Sequence, residues 1–168
     1  MRLSPTRGSS IHQHCARFRV GYTAQAHKLI GIARTVALQI PSDNVDSFAM
    51  LREYAKGLGV ALGTINSNTF RGEAYNFGRL YHHAIKVRQQ AIGYHLECIE
   101  IMHEIGPRDG KIWLANGGNY PGQADVRLRQ DWLAQFLRTI CESIAASQRL
   151  VFEYRFFEKA FYHLDVSG

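Results

Sequence analysis

The chain has 168 residues, 46% hydrophobic and 20% charged, which suits one globular domain of ordinary size. Its net charge of +6 does not point to a nucleic-acid partner, because the excess sits at one end: residues 1–42 carry Arg2, Arg7, Arg17, Arg19, Lys28 and Arg34 and no acid, while from Asp43 onward fourteen basic residues meet fourteen acidic ones. No apolar run approaches the length of a membrane span, so no membrane partner is expected; Cys15, Cys98 and Cys141 stand far apart in no CxxC pattern, as for unpaired thiols in a reducing, cytoplasmic setting.

In chain order, the Arg- and Ser-containing start formally resembles an organelle transit peptide and lacks the apolar core of a secretory signal. Residues 1–21 read as a disordered basic tail and 22–168 as the folded domain. The pattern predicts a helix over 23–32 with Ala26, Leu29 and Ile30 inward, then a strand over 35–40 ending at Pro41. Ser42 or Asp43 is placed to cap a helix whose stripe is Val45, Phe48, Leu51, Ala55 and Leu58, closed by Gly57 and Gly59. A strand over 60–65 leads into a polar loop from Asn66 to Phe70. A long helix over 85–105 carries Ile85, Ile92, Leu96, Ile99 and Met102 on one face and stops at Gly106-Pro107. A third strand, 111–115, precedes the Asn- and Gly-rich loop 116–122. A helix over 126–144, with Leu133, Phe136, Leu137, Ile140 and Ile144 inward, precedes the fourth strand, 150–155. Strands and helices alternate, and the strands read as apolar runs, so the fold class is α/β with parallel strands. The closure is either an open doubly wound sheet or a barrel. Four βα units amount to half of an eight-stranded barrel, whose usual size is about 250 residues.

In both architectures chemistry gathers at the C-terminal ends of the strands. Gln39 and Ser42, the stretch from Asn66 to Phe70, Trp113 with Asn116 and Asn119, and Glu153 with Arg155 fall there. Amides suit sugar hydroxyls, and Trp113 offers a flat face to a pyranose; its alternative is a core position. Glu153 is a carboxylate in an apolar strand, costly to bury unpaired. It is placed either to ligate a hard divalent cation or to pair with Arg155, two residues on and so on the same side. The histidines make a poor metal set. His82 and His83 are adjacent and point to opposite sides of an extended chain, and His95 and His103 lie two helical turns apart. No HExxH, GxSxG, Walker or GxGxxG motif is present.

Three segments carry a family resemblance: Gly63-Thr64-Ile65-Asn66-Ser67-Asn68-Thr69-Phe70; Lys111-Ile112-Trp113-Leu114-Ala115-Asn116-Gly117 with Asn119-Tyr120-Pro121-Gly122-Gln123; and Val151-Phe152-Glu153-Tyr154-Arg155-Phe156-Phe157-Glu158 with Ala160-Phe161-Tyr162-His163. In order and spacing, from about Tyr22 to Val166, the chain resembles the L-rhamnose isomerase branch of the xylose-isomerase-like barrels. The resemblance implies a (β/α)₈ barrel that interconverts aldoses and ketoses with two divalent ions, commonly Mn²⁺. It implies Glu153 as a metal ligand and catalytic residue with Arg155 beside it, Trp113 beside the sugar, and Phe70 at the pocket wall. Gln39 stands where the family usually has His, Ser42 where it has Trp, and Arg155 where it has Lys. The first of these removes an acid–base group, the second a stacking surface, and the third changes a point charge for a planar fork.

The family's other metal ligands, Asp and His, come from later strands than the four seen here. A hard divalent ion takes about six donors, and Glu153 supplies at most two of them. The expectation is therefore a truncated isomerase, impaired or inactive alone, that pairs with another copy or with a second chain completing the barrel. The alternative is a non-enzymatic half-barrel that binds a sugar or a partner.

Overall fold

Four strands pair in parallel in the order β1-β2-β3-β4, each joined to the next through a helix. The computed structural model describes residues 10–67, 79–114 and 125–154. The elements are α1 (Ser10–Ile30), β1 (Thr35–Ile40), α2 (Phe48–Gly57), β2 (Ala61–Ser67), a 3₁₀ turn (Arg79–Tyr81), α3 (Ile85–Ile105), β3 (Asp109–Leu114), α4 (Val126–Cys141) and β4 (Arg149–Tyr154). The strand order runs without reversal, so the described sheet has no topological switch point and follows a barrel wall rather than a doubly wound sheet.

The helices pack on one face of that sheet. Val36, Leu38, Ile40, Leu62 and Ile65 form a core with Leu51 and Ala55 of α2 and with Cys98, Met102 and Ile105 of α3. Ile112 and Leu114 form a second core with Ile99 of α3 and with Leu133, Phe136 and Ile140 of α4, and Leu150 and Phe152 pack against it. The alternate residues Thr35, Ala37, Gln39, Thr64, Asn66, Asp109, Lys111, Trp113, Arg149, Val151 and Glu153 are half-buried or exposed. The strands thus alternate in burial; the apolar runs seen in the sequence are not buried on both faces by the described elements. One irregularity marks β2. Val36 faces Leu62 and Ala37 faces Thr64, so Gly63 is the extra residue of a bulge.

Several boundaries differ from the sequence pattern. The first helix starts at Ser10, not at residue 23, so the stretch 10–21 is helical and not a disordered tail. Its buried stripe is Ala16, Val20 and Ala24, spaced by four, whereas Leu29 and Ile30, expected inward, are 83% and 62% exposed. Small side chains let α1 lie close to its neighbours, and they carry too weak a hydrophobic signal to stand out among arginines. Ser47, not Ser42 or Asp43, caps α2, its Oγ accepting from the Met50 N–H at 3.2 Å. Asp125 caps α4, which ends at Cys141 rather than residue 144. Ile85, at the start of α3, is exposed, and Gly106 closes that helix in the left-handed conformation at φ 76°. No helix among the described residues is long and apolar enough to cross a membrane.

Candidate functional site

The helix-free face of the sheet is polar toward the C-terminal ends of its strands. Parallel pairing sets Gln39 against Asn66, Asn66 against Lys111, and Lys111 against Val151 in one rung. The next rung sets Trp113 against Glu153, and the preceding one sets Ala37, Thr64, Asp109 and Arg149 side by side. Side chains two apart on a strand share a face, so Gln39, Asn66, Lys111, Trp113 and Glu153 are brought together.

The end of β1 is firmly held. The Tyr94 hydroxyl of α3 donates to the Ile40 carbonyl. The Gln39 N–H donates to Asp43 Oδ2 at 2.7 Å, and the Asp43 N–H returns a bond to the Gln39 carbonyl at 2.7 Å. The fully buried Asp43 carboxylate also pairs with Arg19 Nε of α1 at 3.3 Å. The first helix therefore anchors the turn that presents Gln39. Ser42 lies half-buried in the same turn, which follows the cis Ile40–Pro41 peptide. Phe70, Asn116, Asn119 and Arg155 lie outside the described residues.

Two ion pairs cross from β3 to β4. The Arg149 guanidinium grips the Asp109 carboxylate with two hydrogen bonds, Nε to Oδ1 and Nη2 to Oδ2, the second at 3.2 Å. The hydrogen bond and charge of Arg149 hold the Asp109 carboxyl below its ordinary range, and Asp109 in turn raises the Arg149 guanidinium. The Lys111 ammonium meets Glu153 Oε2. Glu153 is thus not a buried carboxylate. Its side chain is 48% exposed, and its partner in the described structure is Lys111 on the neighbouring strand. The reason is the helix-free face: an apolar-looking strand exposes every second residue when nothing described covers that side.

Lys111 is the residue the sequence reading missed. The spacing Asp109, Lys111, Trp113 was the available signal, since it sets all three on one face. Asn66 is the other polar group of weight. Its Oδ1 is buried and has no hydrogen-bond partner among the described residues, on a residue in register between Gln39 and Lys111.

Of the histidines, His95 serves packing. His95 is 2% exposed, its Nδ1 lies 2.7 Å from the Ala91 carbonyl, and its ring meets Phe136 edge-on. His82 and His83 do not diverge as an extended chain would place them. Their rings lie 4.1 Å apart at 32°, and burial, then His83, lowers the His82 pKa. Cys98 is buried and its thiol is pushed up to about 12, chiefly by desolvation, which leaves it unreactive; Cys15 and Cys141 are exposed.

A divalent ion does not fit the described residues. No three His, Cys, Asp or Glu side chains among them gather closely enough to hold one. At the C-terminal end of the face the carboxylate on offer is Glu153, already committed to Lys111.

No family model matches the chain. It is 33% identical over 132 residues to a "Probable sugar isomerase" of Rhizobium meliloti (strain 1021), and 32% identical over 133 residues to another of that description from Mesorhizobium japonicum. Each match takes in 76% of this chain and 31% of the relative, so the chain spans about a third of the length of these relatives. Among solved structures, a xylose isomerase-like TIM barrel/4-hydroxyphenylpyruvate dioxygenase fusion protein superposes with a TM-score of 0.54 at 16% identity, over 82% of this chain and 20% of that one. A protein of Sinorhizobium meliloti 1021 superposes with a TM-score of 0.56 at 13% identity, over 82% of this chain and 47% of that one. The structural matches establish the fold, a partial TIM-barrel wall of four parallel strands, and in sequence this stretch is similar to proteins described as probable sugar isomerases.

Proposed function

We propose that these residues form the sugar-facing wall of an aldose–ketose isomerase of the L-rhamnose isomerase type. The observation that supports this reading is the rung Gln39–Asn66–Lys111, capped by Trp113 and Glu153, on the helix-free face at the C-terminal strand ends. The Asn66 oxygen accepts from a sugar hydroxyl, the Gln39 amide and Lys111 ammonium donate to others, and the Trp113 ring lies against the apolar side of the pyranose. Glu153 is the carboxylate placed to exchange a proton with a hydroxyl next to the carbonyl, once released from Lys111. The parts given to Arg155, Phe70 and Ser42 rest on the resemblance alone. So does Mn²⁺, and no step is drawn through it because the described donors do not fit it.

The chain assayed by itself is then a poor catalyst. In a coupled assay for ketose formation from L-rhamnose with Mn²⁺, turnover far below that of a full-length sugar isomerase is expected, and Glu153→Gln should remove what remains. A rate matching the full-length enzyme, or one indifferent to Glu153→Gln, contradicts this. A second reading, a non-enzymatic sugar-binding wall, is favoured by the Lys111–Glu153 pair, which satisfies the carboxylate without any ion. Sugar binding that is independent of metal, with no ketose formed, would select it.

A further inference from the structure

We infer that Lys111 is a resident cation: its ammonium is the counter-ion of Glu153 in place of the divalent metal that the resemblance implies, and so weakens metal binding at this carboxylate. The inference concerns the ion at the site proposed above and stands whether or not that site isomerises sugar.

Among the described residues the charges on this face are matched. Four charged side chains face one another on β3 and β4: Asp109, Lys111, Arg149 and Glu153. Arg149 lies opposite Asp109 in register and engages it with two hydrogen bonds, so that among the described residues of this face Lys111 and Glu153 are left to each other. Lys111 is in register with Val151, and its side chain reaches one rung further along β4 to Glu153. Among the described residues, two acids and two bases leave this face with no net negative charge to attract a cation. A divalent ion brought to Glu153 would either displace the ammonium or sit beside it, at a repulsion that grows as the solvent is excluded. Both partners are about half exposed, 43% and 48%, so exclusion works through charge rather than through burial. A small substitution should therefore reverse it.

The test is a Mn²⁺ titration of the full 168-residue chain followed by electron paramagnetic resonance, with Lys111→Met, Lys111→Gln and the double change Lys111→Met/Glu153→Gln. Removal of the ammonium is expected to tighten Mn²⁺ binding by about tenfold or more, and the gain should vanish in the double variant. Equal affinity in the wild type and the Lys111 variants overturns the proposal, as does a gain that survives the loss of Glu153. The wild-type protein supplies an arm that needs no variant to fold. With substoichiometric Mn²⁺ its Glu153 carboxyl carbon resonance should stay sharp, and selective broadening of that signal would overturn the inference.

Discussion

Among the described residues, two ion pairs, Asp109–Arg149 and Lys111–Glu153, set the charge of the helix-free face. Asp109 titrates below the usual carboxylate range because Arg149 hydrogen-bonds to its charged form. A group whose folded pKa is depressed adds stability that is fully present above its unfolded pKa, about 3.9 for Asp. That stability is lost as the pH falls through the lower, folded value. Urea midpoints should therefore drop below about pH 4, and Arg149→Gln should flatten that part of the profile; an unchanged acid limb would contradict the assignment. At this scale the sequence was partly legible. Glu153, Trp113 and Gln39 do share one face of the sheet, as their places at the strand ends implied. The partner of Glu153 was not legible, because pairing across strands depends on register, and register is not written in either strand alone. The contact from Lys111 to Glu153 needed the register that sets Lys111 against Val151 and Trp113 against Glu153; Arg155 lies outside the described residues.

At the scale of elements, the bulge at Gly63 lets β2 follow β1 and deliver Asn66 beside Gln39. A methyl group at position 63 would come within 2.7 Å of Thr35 Cβ and 3.0 Å of its Oγ1. Thr35 is β-branched and stiff about χ1, so relief must come from the strands themselves. Gly63→Ala should cost about 1–3 kcal/mol, read as a lower urea midpoint, and a stability equal to wild type would show that the bulge yields freely. The strands and the helices α3 and α4 were legible from periodicity to within a few residues. The first helix was not, because Ala16, Val20 and Ala24 bury little area each while the larger Leu29 and Ile30 face solvent. Its role in the site, the Arg19–Asp43 contact that steadies the turn after β1, follows from tertiary packing and has no local sequence signal.

At the scale of the whole molecule, the described sheet pairs β1 and β4 on one side each. Unpaired strand edges seek partners, and no described element covers the polar face between them. The 168-residue chain should self-associate as its concentration rises, measured by sedimentation equilibrium; a compact monomer at all concentrations would contradict this. Alternation of strand and helix made the α/β class legible, while the choice of a barrel wall over a doubly wound sheet needed the strand order. Under the proposed function the helix-free face binds a sugar at the C-terminal strand ends. The most direct test is a calorimetric titration of L-rhamnose into the wild type, Asn66→Ala and Trp113→Ala without added metal. The account predicts saturable binding in the wild type, weakened several-fold in each variant. Absence of saturable binding in the wild type, or equal affinity in all three proteins, would contradict it.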